Sequence, residues 1–262
     1  MEEGIMKMQT AGKSGNPVII MLPGSFCTSS SLEYLYGTLK DEYEILLPEY
    51  GGHYEGSTFT TREKEVEQIA AYLKEQKITR VRMIYGQSMG AEVGIELLRQ
   101  LLENNISVDQ CFFDGAPCIK LPGFYKKFMY LKFKTMLSII KKKDVEEILQ
   151  SRLLKKAAHG DTESLRPMIE ALSQNIPKCI TKESIKKETE CCYTFDFPAF
   201  DEKMQKRMHF FYASAEKAYK ACFPWVKKAY PAADYKVEKG YGHLTYSIQN
   251  TEHYIRMVRS YL

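Results

Sequence analysis

The chain of 262 residues carries 37 Lys and Arg against 33 Asp and Glu, a net charge of +4, with 44% hydrophobic and 27% charged residues. That length suits one large α/β domain or a core domain with an insertion, and so slight a charge leaves no electrostatic footprint for a nucleic-acid partner. No apolar run reaches the ~20 residues that span a bilayer, and the opening Met-Glu-Glu-Gly-Ile-Met-Lys lacks the basic and apolar regions of a secretory signal, so the expected compartment is the cytoplasm.

The first elements are residues 5–10 and 17–22, which flank Gly12-Lys13-Ser14-Gly15-Asn16 and read as an opening hairpin or strand pair. A helix over about 30–40 follows, with Leu32, Leu35, Tyr36 and Leu39 on one face, and then a strand over 43–47. Thr60-Thr61-Arg62-Glu63 offers a capping box for a helix to about 76, whose buried stripe is Val66, Ile69, Ala70 and Leu73. Residues 81–85 read as a buried strand. They lead into Gly86-Gln87-Ser88-Met89-Gly90, and a helix over 91–103 follows with Val93, Leu97, Leu98, Leu101 and Leu102 at helical spacing.

Strand, Gly-flanked turn and helix are the context of a nucleophile elbow, which lifts a serine hydroxyl clear of the sheet edge. The glycines are needed because a side chain there would collide with the crossing strand and helix. A strand over 109–113 closes at Asp114-Gly115-Ala116-Pro117. The alternation of strands and helices to this point predicts an α/β fold with a doubly wound, mostly parallel sheet. Residues 118–199 break that rhythm with several helical patterns and no convincing strand. They read as a helical cap over the sheet edge, inserted into a core of residues 1–117 and 200–262. Afterwards come a strand at 208–212, a helix at 217–230 with a break or kink at Pro224, a strand at 235–238 and a closing helix at 247–262.

With these elements placed, the chain resembles the α/β-hydrolase superfamily over essentially its whole length, nearest to the capped carboxylesterase and lipase-like branch. There the lid is inserted after the sixth strand, and nucleophile, acid and histidine follow in that chain order. The resemblance implies Ser88 as nucleophile and His243, in Gly240-Tyr241-Gly242-His243, as general base. Glu216, in Ala213-Ser214-Ala215-Glu216, becomes the acid, with Asp114 as the alternative because it too ends a strand. Pro23-Gly24-Ser25 stands where the family often has His-Gly-x, so the Ser25 amide, or Phe26 if the loop is shifted by one, is the expected second oxyanion donor beside Met89. Glu49-Tyr50-Gly51-Gly52-His53 is similar to the family's Asp-x-x-Gly-His segment. Two departures stand out: Glu216 replaces the more frequent aspartate, and Pro23 replaces the usual histidine.

The chemistry asks for these residue types. A serine hydroxyl needs a base within hydrogen-bond reach, and histidine titrates near pH 7 without special help. The acid holds the imidazole in the tautomer whose Nε2 accepts the serine proton. Paired backbone amides stabilise the charge that develops on a carbonyl oxygen. The rival histidines are His53, His159, His209 and His253. The seven cysteines include no C-x-x-C pair, and Cys191 and Cys192 are adjacent, so reduced, partly buried thiols are expected. No metal or organic cofactor is called for.

Over residues 118–190 stand 16 Lys and Arg against 9 Asp and Glu. The plain reading is an amphipathic cap helix with solvated lysines; the sharper ones are an anionic substrate or contact with an acidic membrane surface. Phe124, Phe128 and Tyr130 are expected to line an acyl pocket. The sequence thus points to a serine hydrolase acting on a small-molecule ester or related acyl compound, with no nucleic-acid partner. Thioesterase, C–C hydrolase and acyltransferase chemistry use the same constellation, and the rival class is a non-catalytic ligand-binding protein on the same scaffold.

Overall fold

Runs such as Val18-Ile19-Ile20-Met21-Leu22 bury every residue, which requires cover on both faces of the sheet they enter. The computed structural model, which describes residues 6–157 and 160–262, provides it. The strands are β1 (Lys7–Ala11), β2 (Val18–Leu22), β3 (Glu44–Glu49), β4 (Arg80–Gln87), β5 (Ser107–Asp114), β6 (Met208–Ala213) and β7 (Asp234–Glu238). They form one sheet in the order β1-β3-β2-β4-β5-β6-β7. Only β1 runs antiparallel, against β3; the other pairings are parallel.

The opening hairpin is therefore not formed. β1 pairs with β3 from Lys7↔Glu49 to Ala11↔Ile45, while β2 sits between β3 and β4. The reason lies in the burial patterns. β1 is half exposed and suits an edge, whereas β2 needs a parallel neighbour on each side and helices above and below.

The helices of the core are α1 (Glu33–Leu39), α2 (Arg62–Glu75) and α3 (Met89–Glu103), then, beyond the insertion, α9 (Glu202–Gln205), α10 (Lys217–Ala229), α11 (Thr245–Gln249) and α12 (Thr251–Arg259). Alternate strand residues divide between two cores. Ile19, Met21, Ile45, Leu47, Met83, Tyr85 and Phe112 pack with Leu35 and Leu39 of α1 and Met257 and Val258 of α12. Ile20, Leu22, Leu46, Ile84 and Phe113 pack with Val66, Ile69 and Leu73 of α2, Val93, Leu97 and Leu98 of α3, and Val226 of α10. Truncating a fully buried leucine such as Leu97 to alanine costs about 2–5 kcal/mol in such a core.

Local details depart from expectation in three places. Thr61, not Thr60, caps α2, its side chain accepting the Lys64 amide. α10 runs through Pro224 as one element; the carbonyl deprived of its partner belongs to Lys220, on the exposed side. The closing helix is divided at Asn250 into α11 and α12.

Between β5 and β6 lie α4 (Gly123–Lys142), α5 (Val145–Leu149), α6 (Arg152–Ala157), α7 (Arg166–Cys179) and α8 (Lys182–Cys192). Counted in this chain, the insertion thus leaves after the fifth strand of seven, one fewer than the resemblance implied. Its stems meet in an antiparallel bridge between Lys120 and Thr194. Leu137, Ile140, Ile148, Leu149, Leu165, Ile169 and Ile176 give it an apolar cluster of its own, which also takes in Phe26 from the loop after β2. Phe124 and Phe128 stand outside that cluster, 68% and 64% exposed on the outer side of α4. Their rings face away from it, while Tyr130 turns inward against the cluster. The split follows from α4 having apolar residues on opposite sides, of which only one can face the insertion's core.

Candidate active site

Ser88 occupies the single residue between β4 and α3, with φ 55° and ψ −120°. A non-glycine residue in that region is strained, and such strain persists only where the surroundings enforce it. Here the enforcement is visible. The Ser88 amide donates to the Asp114 carbonyl at 2.7 Å. A Cβ on Gly86 would strike the Gly90 carbonyl and lie 2.7 Å from the Ala91 Cα. One on Gly90 would strike the Leu22 carbonyl and lie 2.6 Å from that of Pro23. Both flanking glycines are thus required by backbone crossing the turn.

The end of β6 and the loop after β7 converge on this serine. His243 Nε2 lies 3.0 Å from Ser88 Oγ, and His243 Nδ1 lies 2.5 Å from Glu216 Oε2. The ionised carboxylate can only accept, so Nδ1 carries the proton and donates to it, leaving Nε2 to accept the serine hydroxyl. Glu216 is almost wholly buried, and its second oxygen accepts the Ala213 amide at 2.8 Å. Buried, doubly engaged and on a tight turn, it has little freedom to leave the imidazole. Desolvation works against a protonated His243, but the hydrogen bond to Glu216, the charge of Glu216 and that of Asp114 outweigh it and raise the pKa above the ordinary histidine value.

Asp114 is held elsewhere. Its Oδ2 accepts the Tyr254 hydroxyl at 2.7 Å, and that hydroxyl is 2.8 Å from the hydroxyl of Tyr85. Burial, reinforced by the Glu216 charge, raises its pKa to about 7. Between the two carboxylates considered for the acid, Glu216 is the one on Nδ1.

The loop after β2 lies against the serine: a Cβ on Gly24 would be 3.3 Å from Ser88 Cβ. The Met89 amide heads α3, where first-turn amides lack intrahelical acceptors, and the Ser25 amide has no acceptor among the described residues. The Phe26 amide, by contrast, donates to Glu188 Oε2 of α8 at 2.8 Å. Met89 and Ser25 therefore keep free donors beside Ser88, and the alternative Phe26 does not.

Phe26 also has φ 63°, and its ring meets Phe133 of α4 edge-on at 5.5 Å between centroids. Behind it, Glu188 Oε1 is 3.2 Å from His53 Nε2, both side chains fully buried, and His53 Nδ1 is 2.6 Å from the Cys27 carbonyl. Burial opposes a charge on His53, but Glu188, Glu49 and that carbonyl raise its pKa above the ordinary value. Two more histidines lie away from Ser88: His209 bonds Gln110 at 2.9 Å and His253 bonds Tyr246 at 2.6 Å. His159 lies outside the described residues.

Solved structures match along nearly the whole chain. An α/β-hydrolase family protein of Desulfitobacterium hafniense is 21% identical, with 97% of this chain and 99% of that one covered at a TM-score of 0.74. The chain has the α/β-hydrolase fold. A carboxylesterase of Nitrososphaera gargenis matches at 13% identity, with 98% and 93% covered and a TM-score of 0.73. The type II thioesterase of the borrelidin biosynthetic cluster matches at 14%, with 100% and 99% covered and a TM-score of 0.66. No protein-family model and no curated protein matches the sequence.

On this α/β-hydrolase fold, two residues of the site and one buried acid on α3 escape a reading by sequence. Gly115, with φ 62°, lies directly under the imidazole: a Cβ there would be 2.6 Å from His243 Cε1 and 2.9 Å from Nδ1. Its only signal is a glycine just past a strand. Glu188 stands 162 positions from the amide it anchors, with nothing local to mark it. Glu92, one turn beyond Ser88 on α3, is fully buried with neither oxygen hydrogen-bonded among the described residues, and burial, only partly offset by Arg62, raises its pKa to about 8. A cleft of about 580 Å³ between α2, α3 and the end of α8 includes Arg62, Glu96, Arg99, Lys187 and Glu190, and no residue of the Ser88 site.

Proposed function

We propose that this chain is a serine hydrolase that cleaves a small-molecule ester or related acyl compound through an acyl-enzyme. The observation that carries the reading is the continuous relay from buried Glu216 through His243 to the strained Ser88, at 2.5 and 3.0 Å. Ser88 Oγ attacks the substrate carbonyl carbon while its proton passes to His243 Nε2. Glu216 stabilises the imidazolium that forms. The carbonyl oxygen, now bearing the negative charge, is met by the Met89 and Ser25 amides; loss of one such donor costs on the order of 10²–10³ in kcat in a serine protease. His243 then returns the proton to the leaving group, and a water molecule, deprotonated by the same nitrogen, hydrolyses the acyl-Ser88 bond. Residues 118–199 act as a cap over this site. Its α8 supplies the acceptor for the Phe26 amide, and so helps to leave the Ser25 amide free to meet the substrate.

The test is covalent labelling by a fluorophosphonate together with turnover of oxyesters and thioesters of graded chain length. Labelling and turnover by the native chain, both lost in Ser88→Ala, are expected. An inert native chain that still binds such compounds would replace hydrolysis with ligand binding.

A further inference from the structure

α4 is apolar on two opposite sides. The inner side, Tyr130, Phe133, Leu137 and Ile140, packs into the insertion's cluster. The outer side carries Phe124, Phe128, Leu131 and Ile139, whose spacing of four, three and eight residues traces one line along the helix. Eight large hydrophobic residues are exposed among the described residues, and six of them, these four with Tyr125 and Met136, are on α4. Surface hydrophobics scattered singly need no explanation, but this concentration on one helix does.

The charges on the same helix are of one sign. α4 holds six lysines, Lys126, Lys127, Lys132, Lys134, Lys141 and Lys142, and no acidic residue. Elsewhere in the insertion, Lys120, Arg166 and Lys187 do meet carboxylates, Arg166 those of Glu146 and Glu163. On α4, Lys127, Lys134 and Lys142 have no carboxylate within ion-pair distance among the described residues. An outward apolar stripe bordered by unanswered lysines is the pattern of a helix that lies in the plane of a lipid interface.

We infer that the outer side of α4 seats the protein on a bilayer surface rich in anionic lipid. Phe124, Phe128, Leu131 and Ile139 enter the boundary between headgroups and acyl chains, and Lys127, Lys134 and Lys142 meet lipid phosphates. The helix lies on the membrane and does not cross it: among the described residues no helix is long and apolar enough to do so. A second copy of the chain is the wrong occupant, because pairing two such sides would set Lys127, Lys134 and Lys142 against the same lysines of the other copy, with no carboxylate on either helix. An acidic phosphate surface supplies the missing charge and the apolar layer together. This inference stands apart from whether Ser88 turns over an ester.

The experiment is vesicle flotation of the full chain. Vesicles of phosphatidylcholine are compared with vesicles containing about 30% phosphatidylserine, at low and at 0.5 M salt, since polybasic attraction falls off within a Debye length. Binding to the anionic vesicles alone is expected, weakened at high salt and reduced at least tenfold in Phe124→Ser/Phe128→Ser and in Lys127→Glu/Lys134→Glu. All four side chains lie on the helix surface, so circular dichroism and Tm should stay those of the native chain. Three results would overturn the inference: no binding to either vesicle, equal binding to both, or anionic binding unchanged in both double variants. So would a dimer in sedimentation equilibrium that the same substitutions dissolve.

Discussion

Gly115→Ala is the most informative single substitution, because it touches no reacting group and yet presses on one. Its new Cβ would sit 2.6 Å from His243 Cε1, 2.9 Å from Nδ1 and 3.2 Å from Glu216 Oε2. Ordinary van der Waals contact begins near 3.4 Å, so the imidazole must give way by about 0.8 Å. A misplacement of ~1 Å at a reacting group can cost on the order of 10² in rate, and kcat on a p-nitrophenyl ester should fall by about that factor with KM little changed. Alanine at φ 62° also pays a backbone penalty of roughly 1–2 kcal/mol, a loss of about 2–8 °C in Tm for a chain of this size. Gly56→Ala separates the two effects: Gly56 has φ 82°, and a Cβ there would meet nothing within 4 Å. It should show the same loss of Tm and keep full kcat. If Gly115→Ala, folded, retained kcat within twofold of the native value, the placement of His243 against Ser88 and Glu216 would be wrong.

Glu216→Gln should lower kcat by on the order of 10³–10⁴, as loss of the acid's charge does in serine proteases, whereas Asp114→Asn, which leaves Nδ1 its partner, should stay within about tenfold. The base must be neutral to act, so kcat/KM should rise with pH through a midpoint above ~6.5, the ordinary histidine value; in the residual activity of Glu216→Gln that midpoint should move down. Glu188→Ala should reduce kcat about tenfold or more without raising KM, while Glu188→Gln, whose amide oxygen can still accept the Phe26 N–H, should recover most of the loss. Glu92 keeps its proton in the folded chain up to about pH 8, against 4.5 for an ordinary glutamate. Folding stability is therefore drawn down as pH rises through that window, and Glu92→Met should gain more Tm over the native chain at pH 8.5 than at pH 5.5.

What could be read from sequence was mostly what short spacing encodes. The elbow is five residues whose glycines answer to atoms of their own turn and of the neighbouring strand end, and β2 and β4 announce themselves by unbroken apolar runs. The partner of β1 was not readable, since pairing with β3 rather than β2 depends on which strand needs two covered edges. Nor was the orientation of α4: two apolar stripes satisfy helical periodicity equally, and only the insertion's cluster selects Phe133 and Leu137 over Phe124 and Phe128. Glu188 and the Phe26 amide meet across 162 residues, a distance over which no local pattern carries information. For the acid, chain order left both Glu216 and Asp114 open, and the geometry that separates them is the turn after β6, which aims one carboxylate at Nδ1.

Phe26 has a consequence for how such a chain can be altered. A bulky residue at φ 63° carries roughly 1–3 kcal/mol of strain, and two of the contacts that secure it, the Glu188 carboxylate and the Phe133 ring, come from the inserted helices. Sheet and insertion are thus not interchangeable parts. A truncation joining residue 117 to residue 200 would retain Ser88, Glu216 and His243, yet forfeit the Glu188 and Phe133 contacts to the loop beside them. A foreign insertion grafted onto this sheet would have to supply an acceptor for the Phe26 amide and a surface for its ring before any change of substrate could be expected.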